Sequence, residues 1–303
     1  MEKILSGFYK RYHRKYDSDK KLREHIGTIQ IPKFSVLIQD ILENAYIDNL
    51  IVESITNKEV VIREFPKKIA KLVNSISSVD SVLDNGEKHK REFVLIPHIR
   101  RFMENFQNTL EYIENLGVRV DTSLLLLDVN NLFNLLEKEL ILKKGNRRFY
   151  DKGEILDFLK LTNSDFFLYI DLTLQLIKQE KRAYIASFFE YYSMMDILLD
   201  DMADIEDDLE SNSYNPLHIL LDKEVYYMNS FCDIATDYGK NAVEIANKQL
   251  GHLSGYLAYL AEAELEALNI FKYNINDICM NTKLKKLVLK PYPWEIYEYD
   301  IQN

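Results

Sequence analysis

A chain of 303 residues with a formal charge of −10 is long enough to bury a substantial core and too acidic for phosphate-backbone binding as its main task, which needs a basic face. Nine Gly and six Pro are few for this length, so long uninterrupted helices are expected, in one all-α domain over 1–303. Two cysteines, Cys232 and Cys279, show neither metal-ligand spacing nor a disulfide framework, which points to a reduced, cytoplasmic setting.

In chain order, residues 1–25 are basic and aromatic, with Phe8, Tyr9, Tyr12 and Tyr16 set among Lys10, Arg11, Arg14 and Lys15, and are expected to form a short helix or arm. No run has the composition of a signal peptide or the length of a membrane span, so membrane contact, if a greasy substrate requires it, is expected to be peripheral. Over 35–55, Val36, Leu37, Ile41, Leu42 and Ile47 recur near the helical period. Pro66 suits the first turn of a second helix that runs through Ile69, Leu72, Val73 and Ile76 to Leu83, where Asp84-Asn85-Gly86 stops it. A polar stretch leads to a helix over 93–116 with Gly117 as its C′ residue. Asp121-Thr122-Ser123 opens the apolar run 124–142, which Gly145 ends. The polar interruption 143–157 reads as an inter-helix loop rather than a domain linker. Four further helices are expected over 164–179, 182–209, 217–238 and 241–273, and the tail is aromatic. No segment alternates well enough to be a strand.

The feature that carries chemistry is DILLDDMADIEDD, which places Asp196, Asp200, Asp204 and Asp208 four residues apart with Asp201 and Asp207 beside them. On a helix such positions stack, drifting about 40° per step, so the carboxylates form a ladder down one face. No Lys or Arg lies between Arg182 and Lys223 to offset the repulsion. A solvated acidic face normally mixes Lys with Glu, whereas this one uses Asp, a poor helix former, six times in thirteen residues. Hard oxygen ligands on one rigid face suit Mg²⁺ held together with substrate phosphates. An EF-hand is excluded, because the turn Gly and the terminal Glu are missing. A second pair, Asp80 and Asp84, sits at the same spacing near the end of an earlier helix.

At this point the chain resembles the class I isoprenoid synthases, in particular the squalene and phytoene synthases and the bacterial large-terpene synthases. Asp80-Ser-Val-Leu-Asp84 is similar to their DxxxD motif. Asp204-Ile-Glu-Asp207-Asp208 is similar to their D-x-x-E/D-D motif, with Tyr214-Asn215-Pro216 following, and Asp200-Asp201-Met-Ala-Asp204 reads as DDxxD. The resemblance implies a single all-α domain with a central apolar cleft, and Mg²⁺, about three ions, held by Asp80, Asp84, Asp200, Asp201, Asp204, Asp207 and Asp208. Of these, Asp80, Asp84, Asp200, Asp204 and Asp208 are the expected catalytic set. A prenyl diphosphate substrate would also require cations, for which Arg91, Arg100, Arg101, Lys181 and Arg182 are candidates. It would require aromatic walls as well, for which Phe166, Phe167, Tyr169, Phe188, Phe189, Tyr191 and Tyr192 are available, with Tyr214 near the diphosphate. Ala203 stands where the head-to-head synthases carry Arg, which directs the expectation toward a single-substrate terpene synthase. The alternatives are an elongating or head-to-head prenyltransferase, and a non-catalytic helical protein whose acidic face binds a cation or a partner. Six histidines show no metal spacing, and no feature sets an oligomeric state.

Overall fold

The computed structural model describes residues 33–85, 91–143, 152–210 and 225–273. Along them run α1 (Lys33–Ile47), α2 (Lys58–Asn85), α3 (Arg91–Asn115), α4 (Thr122–Lys143), α5 (Lys152–Thr162), α6 (Ser164–Leu174), α7 (Gln179–Glu210), α8 (Val225–Asn247) and α9 (His252–Tyr273). The only β pairing among the described residues is one antiparallel bridge between Ile51 and Ile177, so the expected all-α class holds. The basic arm, Tyr214, Cys279 and the aromatic tail lie outside the described residues.

Each helix presents an apolar stripe to one shared core. Leu37, Ile38, Ile41, Leu42 and Ala45 of α1 are all buried, as are Phe65, Ile69, Leu72 and Ile76 of α2. These are the i, i+3, i+4 positions of an amphipathic helix. α6 differs, since Phe166, Leu168, Tyr169, Ile170, Leu172 and Leu174 are buried around most of its circumference. A helix apolar on nearly every side belongs at the centre, and α6 packs on α1, α2, α4, α5 and α7. α8 lies along both α7 and α9, and α9 returns to α1, where the Tyr256 hydroxyl donates to Asp40 Oδ2 at 3.1 Å.

Helix ends depart from expectation where a local signal is outweighed by capping or packing. α1 stops at Ile47 rather than near 55, because Asn49 takes a left-handed conformation (φ 55°). The amide of Asn49 then bonds the carbonyl of Tyr46 at 3.0 Å and that of Leu50 bonds Ala45 at 2.7 Å, the paired bonds of a Schellman cap. Pro66 is not in the first turn of α2. Asn57 caps that helix through its side chain, accepting from Val60 N–H at 3.4 Å, and Pro66 falls in its interior. Gly117 (φ 75°) and Asp121, which accepts from Leu124 N–H at 3.3 Å, close α3 and open α4 as expected. The interruption at 143–157 is shorter than expected, since α5 resumes at Lys152. The last two helices break at Gly251 rather than near Gly239, which is helical and whose missing side chain lets α8 approach Met195 of α7 and Leu265 of α9.

The start of α9 is capped from across the chain. Asp48, just after α1, accepts hydrogen bonds from the amides of His252 and Leu253, each 2.9 Å, and its charge also meets the positive end of the helix dipole. Gly251 lets the chain reach this carboxylate: its φ is +135°, and a Cβ there would stand 2.5 Å from Asp48 Oδ2. Gly251→Ala is therefore expected to destabilise the protein by about 2 kcal/mol or more. Asp48→Ala, which removes the acceptor without the clash, should cost about 1–2 kcal/mol. Urea midpoints rank the two, and equal stability of G251A and wild type would contradict the strained geometry.

Candidate site on the aspartate ladder

The ladder occupies the last four turns of α7. Its side chains are described as far as Asp201, beyond which the helical backbone alone is described, so Asp204, Asp207 and Asp208 are placed by register. Asp196, Asp200 and Asp201 are half-buried rather than exposed. In the two turns before it, Phe188, Phe189 and Tyr192 are buried, Phe189 against Phe166 of α6, with the Phe188 and Tyr192 rings stacked at 5.5 Å. This apolar seat leaves the first turns of the ladder only partly open to water.

The seat also holds a carboxyl group that the sequence reading passed over. Glu264 of α9 is 2% exposed, and the Tyr192 hydroxyl donates to its Oε1. Its Oε2 finds no partner among the described residues. Burial, and next the charge of Asp196, drive the Glu264 pKa well above the usual carboxylate range, and the Tyr192 bond only partly opposes them. Burial thus favours the protonated form of Glu264 beneath the first aspartate of the ladder. The signal was present in the sequence: Glu264 stands in the apolar stripe Leu257, Leu260, Ala261, Leu268, whereas Glu262 and Glu266 point away from it.

The other expected site residues are distributed as follows. Asp80 and Asp84 lie in the last two turns of α2, and Arg91 is the first residue of α3; their side chains lie outside the described ones. α2 and α7 are not main packing partners of one another, but α6 touches both. Lys181 and Arg182 are not brought to the ladder. They stand in the first turn of α7, some 18 residues and about 27 Å before Asp200. Arg182 donates from Nε to Ile177 O at 2.9 Å and from Nη2 to Gln175 O at 3.0 Å, satisfying carbonyls just past α6, and Lys181 donates to Gln249. Arg100 and Arg101 are exposed on α3. Phe188 and Tyr192, expected as substrate walls, are sealed in the core at 0% and 1% exposure. Tyr191 turns instead toward Tyr238, 6.1 Å away, and Phe167 is half-buried.

Between α2 and α3, the side chains of Ser78 and His98 form a short hydrogen bond, which fixes the register of the two helices near the first motif. At the other end of the same pair, a polar groove of about 410 Å³ is lined by Lys68, Lys71, Asn105, Thr109 and Tyr112. Lys71 precedes Asp84 by about 20 Å along α2, so this groove is separate from both motifs. Among the described residues no group of three or more His, Cys, Asp or Glu side chains is placed to hold a metal ion, and no helix is long and apolar enough to cross a membrane. Comparison with protein-family models, curated proteins and solved structures gives no match.

Proposed function

We propose that the chain is a Mg²⁺-dependent class I isoprenoid synthase that ionises a prenyl diphosphate, releases pyrophosphate and forms a terpene product. The observation that supports this reading best is the half-burial of Asp196, Asp200 and Asp201 over an aromatic seat. Carboxylates stacked at i, i+4 on one helix face repel one another, and a divalent cation held among them would offset that repulsion.

The donor set is oxygen only, which fits Mg²⁺, and Asp200, Asp201, Asp204, Asp207 and Asp208 with Asp80 and Asp84 would hold it. When bound, the metal supplies positive charge to the leaving diphosphate. In the reaction the allylic C–O bond breaks with its electron pair going to the diphosphate oxygen, and the carbocation then loses a proton or is captured within the chain. The protein's part is to orient the carboxylates on the rigid α7 scaffold and to exclude water. Phe167 and Tyr191, which keep partly exposed rings, are the aromatic faces assigned to the hydrocarbon.

A second reading is favoured by the distance of Lys181 and Arg182 from the ladder and by α2 and α7 not being main packing partners of one another. In it, the acidic face of α7 binds a divalent cation or a basic partner without catalysis. Pyrophosphate release from prenyl diphosphates of graded length, with Mg²⁺ and with EDTA, separates the two. Release that requires Mg²⁺ and falls at least 100-fold in both Asp80→Ala and Asp204→Ala would support the synthase. Release only from paired substrates would indicate a prenyltransferase. Mg²⁺ binding with no release from any substrate or pair would favour the non-catalytic face.

A further inference from the structure

Four inter-helix turns meet at one end of the bundle. Asp48, after α1, binds the amides that open α9, and the Lys178 amide, after α6, donates to Leu50 O at 2.8 Å. The Asp121 amide, before α4, donates to Gln175 Oε1 at 3.0 Å, and Ser54 Cβ stands 3.7 Å from where a side chain on Gly117 would begin. The aspartate ladder lies toward the opposite end, with Asp196 about 25 Å beyond Gln179 along α7.

Large apolar side chains gather at the end where the turns meet. Leu250, in the turn between α8 and α9, is 100% exposed, and Ile47, the last residue of α1, and Leu126, in the second turn of α4, are each 59% exposed. Tyr46, Leu124 and Leu127 are exposed beside them, and Val60 is exposed in the first turn of α2. Among the described residues, the other exposed large apolar side chains are Ile96 and Met103, further along α3. A single leucine in water is ordinary, but several brought to one end from separate elements form a surface that calls for a partner. Leu250 is also held firmly in place. The carbonyl of Gln249 accepts from the Ser254 hydroxyl at 2.8 Å, its side chain accepts from Lys181, and Gly251 is packed against Asp48.

Charge is balanced here, unlike in the chain as a whole. Over 46–58, 116–124, 175–182 and 244–252, six Lys and Arg face five Asp and Glu, against 38 and 48 in the full sequence. Lys178 pairs with Glu53 at 3.2 Å and Lys248 with Glu244 at 3.1 Å. The ladder is several screening lengths away, since charge is felt over about 8 Å at physiological salt.

We propose that this end of the bundle docks on a lipid surface, with Leu250, Ile47 and Leu126 entering the interfacial zone of a bilayer and the aspartate ladder remaining in water. The apolar side chains issue from separate turns, with exposed Asn49, Gln179 and Asn247 among them, rather than from one continuous groove. A protein partner needs a continuous complementary patch, whereas a bilayer admits side chains one at a time. Tyr46 suits the headgroup level, and the balanced charge lets an acidic chain approach a bilayer by this end without repulsion. No described helix is long and apolar enough to span, so the contact is superficial. The assignment goes beyond the proposed reaction and does not depend on it.

Flotation of the full chain with phosphatidylcholine vesicles, in low and in high salt, tests the docking face. Wild type should float with the vesicles in both, because apolar insertion is not screened. Leu250→Ser combined with Leu126→Ser should lower the partition coefficient at least about tenfold. Ile96→Ser, which removes a comparably exposed side chain away from this end, should leave it unchanged. Urea midpoints establish that the variants fold, and Ile47→Ser takes the place of the double variant if that one does not. Failure of wild type to float, flotation abolished by salt, or an equal loss in I96S would overturn the proposal. A wild-type dimer in sedimentation that becomes a monomer in L250S would also overturn it, because a second copy would then cover this end. Pyrophosphate release is read separately, so its absence with flotation retained would count against the reaction alone.

Discussion

Phe189→Ala is expected to destabilise the protein by about 3–5 kcal/mol, the range for removing a fully buried aromatic ring that its neighbours cannot replace. The ring is 0% exposed at the joint between α6 and α7. It stands edge-on to Phe188 at 5.0 Å, to Phe166 at 5.7 Å and to Tyr192 at 6.1 Å. Those contacts are with rings on rigid helices, so collapse into the void would have to move helix axes rather than flexible side chains. Beyond the lost transfer energy, the paired-ring geometry itself contributes about 0.5–1.5 kcal/mol per pair. The urea midpoint with its slope measures the loss, and a change below about 1.5 kcal/mol would mean that the core around α7 repacks freely. Because Tyr192 carries the bond to Glu264, the same substitution should also loosen the seat of the ladder.

The second large effect concerns Glu264. Its folded-state pKa is raised, whereas in the unfolded chain the group ionises near pH 4.3. The folded protein thus binds a proton that the unfolded chain has released. Stability contributed by the neutral form is complete below the unfolded value and falls by up to about 1.4 kcal/mol per pH unit above it, until the folded group itself ionises. Glu264→Gln keeps the shape and an acceptor for Tyr192 while removing the titration, so its stability should cross that of wild type and exceed it at higher pH. Tyr192→Phe removes the hydroxyl that donates to Oε1 and should cost about 1–3 kcal/mol at every pH where the carboxyl is neutral. Parallel curves for wild type and E264Q would show that Glu264 is ionised in the folded state.

Much of the helical architecture was legible because the relevant signals are local. Periodic apolar positions at 36–42 and 69–76 placed α1 and α2, and Gly117 and Asp121 marked where α3 ends and α4 begins. Errors arose where a local preference had a stronger competitor. Pro66 suits a first turn, yet Asn57 offers a cap two turns earlier, and Gly239 suggests a break that close packing between α7, α8 and α9 overrides. The aspartate ladder was visible as a pattern, since repeated i, i+4 spacing needs no tertiary information to align carboxylates on one face.

By itself, then, the sequence determined that the chain is helical, that α7 ends in stacked carboxylates and which stripes are apolar, all of which depend on residues within a turn or two of each other. Only the tertiary structure decided that Phe188 and Tyr192 lie in the core, that Arg182 serves the end of α6, and that Glu264 sits beneath Asp196. Each of these joins residues brought together by helix packing, and the cost of removing a charge from water depends on that packing rather than on neighbours in the chain.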